Sequence, residues 1–541
     1  MKLKPFLLIV ITLLLGDSCF FHHTFPPTPG PATITPPPSL TPPVGPITDT
    51  TTPAVLLITT AATGVPASVT TLAPAVVPSR LGTEGPYLAY LRDAENGPEI
   101  VLMDADGGGE LSAPFPMEVN SILPPLLSNL LSPDGAWLAF YTGSAGPAFG
   151  QSGPTTADLT LKLMSLSNSK LPTGESRLVT RLLSADYPAN FAAAASQLGM
   201  ADVTAQALRD SFVAGITQSI AWSPDGTGLA FAGQMDGLSS DLYLYDAGSQ
   251  AITRLSSGPQ EVEWIDWSPD GKWILDGSVY FVGEGMTYDV YATSRDGKVS
   301  HKLLSDYRTP GTATWINDSE FLTFQSENGP GNYGLERVNV ETGKIDSIWA
   351  DPFSTFLNDP QGTWLALLTQ EGKLVLVDLA TLQQTAVTLS EPSHAFGAGS
   401  YLVAVDPGAD RHFILRLASD TGWYYLSTGG ALTPAGIQAD LVSVAPDQHH
   451  WIALRDDLRL FTNGSTSPAT FALPPGMQGS DFQRIIWRPD SSGIFLVTTS
   501  SQLYTLDFSS GDYALVEQHL AAAGVGHFMT TAGPAGLIWV H

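Results

Sequence analysis

The residues of this chain that could do chemistry are few and scattered. The ten histidines form no H-E-x-x-H pair, and no G-x-S-x-G nucleophile elbow occurs. His449-His450 stand side by side in a turn and could begin a metal site, but no carboxylate motif accompanies them and a solvated turn is the simpler reading. "DADGGGE" (residues 104–110) has the oxygen-rich spelling of a calcium loop, yet it falls at a hairpin position, where Asp and Gly serve to reverse the chain. The best aromatic cluster is "GWYYL", with Trp423, Tyr424 and Tyr425. It could offer a platform for a ligand, although strand alternation buries part of it. The single cysteine, Cys19, excludes an internal disulfide and any multi-thiolate zinc or iron–sulfur centre. These patterns point to no catalytic residue, no metal and no cofactor.

Composition bounds the class. The chain has 541 residues, 43% hydrophobic and only 14% charged, with 24 Lys plus Arg against 52 Asp plus Glu. A net charge of −28 repels nucleic acid and anionic lipid, so nucleic-acid binding is not expected. The first residues, "MKLKPFLLIVITLLLGDSC", join two lysines to a short apolar run, too short for a membrane span and right for a signal peptide. Cys19 follows directly, and the segment resembles a bacterial lipoprotein signal. That resemblance implies cleavage after residue 18 and lipidation of Cys19. Residues 19–80 read as a disordered Thr/Pro-rich linker: residues 24–80 hold 14 Pro, and no aromatic occurs between Phe25 and Tyr87. The expected location is therefore the cell membrane or cell surface, with a lipid anchor as the only membrane contact.

The elements that must position any site come from a repeat. "SPDGAWLAF", "SPDGTGLAF" and "SPDGKWIL" place Asp134, Asp225 and Asp270 in one turn, and looser copies place Asp318, Gln361, Asp447 and Asp490 there. The intervals are 91, 45, 48, 43, 86 and 43, two of them close to doubled. The first long gap holds an insertion; a degenerate unit, "GSYLVAV" (residues 399–405), fills the second. Each copy leads into short alternating strands joined by Gly, Asp and Asn turns, four strands per unit. Nine units can be marked, beginning at Tyr87, Trp137, Leu229, Trp273, Phe321, Trp364, Tyr401, Trp451 and Ile494. This pattern resembles the TolB-type, WD-like β-propeller repeat, which implies a single all-β propeller over residues 82–541 with about eight four-stranded blades, between seven and nine. In that family the turn Asp is structural. The C-terminal run is expected to pair with the N-terminal strands and close the ring. Residues 186–216 interrupt the pattern with an Ala-rich helical insertion.

The functional expectation is a non-catalytic envelope protein: a propeller on a lipid-anchored stalk that binds or scaffolds a protein, peptide or glycan. The alternatives are a propeller-type carbohydrate-active lyase or hydrolase with its site in the central funnel, and a structural envelope component.

Overall fold

A computed structural model describes residues 79–80, 85–115, 127–143, 159–166, 173–184, 216, 219–236, 239–258, 260–282, 285–307, 313–326, 333–351, 353–358, 363–369, 371–387, 401–405, 412–416, 422–447, 449–462, 467–521 and 537–540. The signal peptide with Cys19, the linker apart from Ser79 and Arg80, and the helical insertion apart from Ile216 lie outside them.

Short apolar runs, punctuated by turn residues, pair with their sequence neighbours because such pairing needs only tight hairpins. The result is a propeller ring of antiparallel meanders, nearly all β. Seven sheets have four strands in chain order, spanning residues 220–254, 261–307, 314–349, 353–386, 401–438, 441–471 and 482–517. An eighth four-stranded blade combines both chain ends: Ile538–Val540 pairs antiparallel with Tyr87–Ala94, and Gly97–Asp104 and Gly109–Pro114 follow outward. Ser79–Arg80 adds a fifth strand, parallel to Gly109–Pro114. Between this blade and residues 220–254 lies a three-stranded sheet, Trp137–Thr142, Thr160–Ser165 and Ser176–Arg181. The single-residue bridge Leu131↔Leu138 stands where its innermost strand would be. Counted around the ring from Tyr87, the sheets run from first to ninth.

The ring is closed by the C-terminal strand sitting innermost in the first sheet. One detail differs from the repeat as marked on the sequence. Tyr401–Val405 is the innermost strand of the seventh sheet, whereas Trp137, Trp273 and Trp364 open second strands. The degenerate unit therefore begins one strand earlier in its blade than the others. Residues 406–411, which follow Tyr401–Val405, lie outside the described residues.

The core lies between sheets, not within them. Leu102 and Leu138 join the first and second sheets, Phe231 and Leu163 the third and second, and Phe495 and Tyr90 the ninth and first. The inner strands alternate with polar residues only weakly, because both faces of a blade are covered. Leu229, Ala230, Phe231 and Ala232 are each 0% exposed.

Candidate functional site

The repeated turn has a well-defined geometry. In the third sheet Ser223 Oγ donates to Asp225 Oδ1 at 2.6 Å, the Thr227 amide donates to the same oxygen at 3.0 Å, and the Gly228 amide donates to Ser223 Oγ at 2.8 Å. Ser132 with Asp134 and Ser268 with Asp270 repeat the pattern. Gly226 follows with φ 66°, the left-handed conformation that glycine adopts without strain. Burial opposes the ionised form of Asp225, but Ser223, Arg295 and Thr227 together hold its carboxyl well below the usual range. At Asp490 the acceptor serves the Ser492 amide and hydroxyl. At Asp447 it serves the amides of His449 and His450. In the fifth sheet the acceptor is not Asp318 but Asn317, one residue earlier, which receives the amides of Ser319 and Glu320. There the chain has shed the proline, and the cap moves with the turn.

These carboxylates are consumed by backbone amides. The other sequence candidates are similarly occupied. His450 Nδ1 lies 2.6 Å from Asp447 Oδ2, and His449 is exposed. Asp106 Oδ1 accepts the Gly108 amide at 2.7 Å within the "DADGGGE" hairpin. Among the described residues no group of three or more His, Cys, Asp or Glu is placed to hold a metal. Trp423 is 3% exposed and its Nε1 donates to the Ala439 carbonyl at 3.0 Å. Tyr425 sits edge-on to Trp451 at 6.4 Å, and Tyr424 is half-buried. This trio packs between the sixth, seventh and eighth sheets and offers no open aromatic platform.

What the strand spacing concealed is a polar region shared by the second, third and fourth sheets, on the rim opposite the Ser-Pro-Asp-Gly turns. A groove of about 410 Å³ is lined by Thr180, Arg181, Met235, Asp236, Tyr243 and Arg254, with Leu183 and Ile252. Thr180 and Arg181 end the outermost strand of the second sheet; Asp236 and Arg254 come from the third. Tyr243 OH donates to Asp236 Oδ2 at 3.3 Å. Arg254 Nη2 donates to Asp241 Oδ2 at 2.5 Å, and Asp241 is 1% exposed. Burial raises the Asp241 carboxyl despite that arginine.

Behind Arg254 the polar groups continue inward. Glu261 Oε2 accepts the Ser240 amide at 2.6 Å, yet burial, with Asp241 and Glu263 nearby, pushes its carboxyl up to about 8. Asp276 is 2% exposed and holds one hydrogen bond, from Ser278 Oγ at 2.9 Å; burial pushes it up to about 7, and its Oδ1 has no partner among the described residues. Asp289, 0% exposed, pairs with Lys302 at 2.7 Å and accepts from Tyr291 OH, which receives Gln260 Nε2. No motif announces this region, since its members come from separate strands and loops of three sheets. The one local signal is "WILDGSVY", where Asp276 interrupts an otherwise apolar strand.

No family model matches the chain, and no curated protein matches it. Solved structures do. The chain is similar to an oligogalacturonate lyase in complex with manganese (14% identity, 55% of this chain and 87% of that one, TM-score 0.29). It is similar to TolB from Acinetobacter baumannii (15% identity, 66% and 65%, TM-score 0.27). It is also similar to a eukaryotic initiation factor (12% identity, 81% and 100%, TM-score 0.42).

Proposed function

We propose that the chain is a non-catalytic binding or scaffolding protein of the cell envelope, a β-propeller carried on a Thr/Pro-rich stalk lipidated at Cys19. The observation that supports this reading is the groove at the second and third sheets. It presents two arginines, a tyrosine–aspartate pair and an apolar wall on a rigid frame, which is the make-up of a recognition site. The buried acids behind it are enclosed between blades, where they bear on the frame and not on a substrate. The turn carboxylates are spent on backbone amides. The role fits the rest of the chain: an anchor and stalk hold a rigid body off a membrane, and a rigid body loses little entropy on binding.

The test is cross-linking in intact cells through the full-length, anchored chain, followed by titration of the purified chain with whichever envelope component is enriched. Saturable binding is the expected outcome. Absence of enrichment together with turnover of a polysaccharide panel would replace this reading with the carbohydrate-active one.

A further inference from the structure

A binding body needs an occupant, and an occupant for the groove presupposes the proposed binding role. The first relevant observation is charge. The chain carries more than twice as many acids as bases, yet the outermost strand of the second sheet, Ser176–Arg181, reads SRLVTR, with two arginines and no acid. The facing wall of the groove adds Arg254, beside Asp236, which accepts from Tyr243 OH. Among the described residues the Arg181 side chain has no hydrogen-bond or ion-pair partner. Arg254 spends Nη2 on Asp241 and Nε on the Ser256 carbonyl, leaving Nη1 free among those residues. Arg177 stacks 4.3 Å from the Trp137 ring and 5.7 Å from Tyr245, with Nε and Nη2 buried and unpartnered. A basic strip on an acidic molecule concentrates attraction for carboxylates at one place.

The second observation is the strand edge. Ser176–Arg181 pairs with Thr160–Ser165 on one side, and no strand among the described residues pairs on the other. Leu178 on this strand is 59% exposed, the most exposed large hydrophobic residue described. An edge that bears an open apolar side chain is a template for a further strand. The third observation is that this same molecule accepts such an addition elsewhere. Ser79–Arg80 extends the outermost strand of the first sheet in parallel, with Arg80 opposite Glu110 in the register. The outer edge of a blade is therefore geometrically open to an extended segment.

We infer that the outer edge of the second sheet takes an extended acidic peptide segment, added as a strand beside Ser176–Arg181. Main-chain hydrogen bonds to the edge would supply affinity, and alternate side chains would supply specificity. Leu178 opposes Lys162 and Arg181 opposes Thr160, with a bulge between them, so Leu178 and Arg181 share one face of the strand and Arg177 lies on the other. A segment with an acidic and an apolar residue on one face, two positions apart, matches this edge: a carboxylate reaches Arg181 and Arg254 in the groove, and an apolar side chain covers Leu178.

The probe is a fluorescein-labelled hexapeptide, Val-Thr-Glu-Thr-Val-Thr, titrated against the full-length chain in detergent and read by anisotropy. Three peptides accompany it: one with lysine in place of glutamate, and two copies of the acidic peptide N-methylated at alternate backbone amides, one set for each edge. Binding of the acidic peptide is expected, with no binding of the lysine peptide. One N-methylated peptide should lose binding while the other keeps it, and affinity should fall at least tenfold with Arg181→Glu. Arg181→Gln, a milder change at an exposed site, should fall between, and an unaltered melting temperature shows that the fold is intact. Equal binding of the lysine peptide, indifference to both methylations, or unchanged affinity in Arg181→Glu overturns the inference, as does binding of an acidic oligosaccharide with the peptides inert. If the cross-linked component binds wild type and Arg181→Glu alike, the binding role stands and this site falls.

Discussion

At the scale of single residues, Asp276 is a group whose ionised form burial strongly opposes. It is nearly inaccessible and has one hydrogen bond for four lone-pair sites, so the folded protein holds its proton until about pH 7, against 3.8 for an ordinary side chain. Because the folded state binds this proton more tightly than the unfolded state, the group costs nothing below about pH 4. Its cost grows as the pH rises toward 7, then levels off. Glu261 acts in the same direction over a window reaching about pH 8. The charged neighbours on these strands include Asp241, Glu263, Asp266, Asp289, Arg254 and Lys302, and both cations already serve an acid. Asp276→Asn removes the titration while keeping the shape. Urea unfolding between pH 4 and 8 should show the wild-type midpoint falling with pH more steeply than that of Asp276→Asn. At a 1.36 kcal/mol cost per unit, the difference is at most about 4 kcal/mol at pH 8. Parallel curves for the two proteins would mean that Asp276 is solvated or paired.

At the scale of elements, a tryptophan joins five of the nine sheets to the one before. Trp222 Nε1 donates to the Leu130 carbonyl, Trp267 Nε1 to the Ala221 carbonyl, and Trp315 Nε1 to Asp266 Oδ2. Trp487 Nε1 donates to Ser443 Oγ, and Trp539 Nε1 to the Trp487 carbonyl. Each indole belongs to an innermost strand and reaches back to the preceding sheet. Trp349 makes the contrast: its Nε1 is buried without a partner among the described residues. Trp267→Phe should therefore cost about 1 kcal/mol more than Trp349→Phe, since the first removes a buried hydrogen bond to the Ala221 carbonyl and the second removes an unpaired donor. Thermal denaturation of the pair checks this, and equal losses would reduce the tryptophans to space-filling. The repeat was legible in the sequence because Trp, Ser-Pro-Asp-Gly and a following strand recur at intervals near 45 residues. The spacing marks Trp222, Trp267, Trp315 and Trp487 as blade core, but not their partners, which lie 92, 46, 49 and 44 residues away. The groove was illegible for the same reason: Arg181, Asp236 and Arg254 meet only after two sheets pack, and no local periodicity encodes that meeting.

At the scale of the whole molecule, a ring is only as stable as its closure. The first sheet takes its innermost strand from Ile538–Val540 and its next three from residues 87–114, so the two chain ends share one sheet. Several contacts lock the joint to the ninth sheet. Arg92 pairs with Glu517 at 3.2 Å, the Asp93 amide donates to the His519 carbonyl, and Trp539 reaches Trp487. Val540 is 2% exposed within the same core as Tyr87 and Leu102. Removing residues 538–541 bares one edge of Tyr87–Ala94, whose Tyr87 to Tyr90 are otherwise fully covered, and so exposes an apolar edge at the heart of the ring. The truncated chain should unfold in a broader transition at a lower temperature and self-associate on warming. A synthetic peptide spanning residues 533–541, added in excess, should restore the sharp transition by filling the vacant strand position. Calorimetry with and without the peptide measures this. An unchanged, single sharp transition in the truncated chain would show that packing between neighbouring sheets holds the ring without its closing strand.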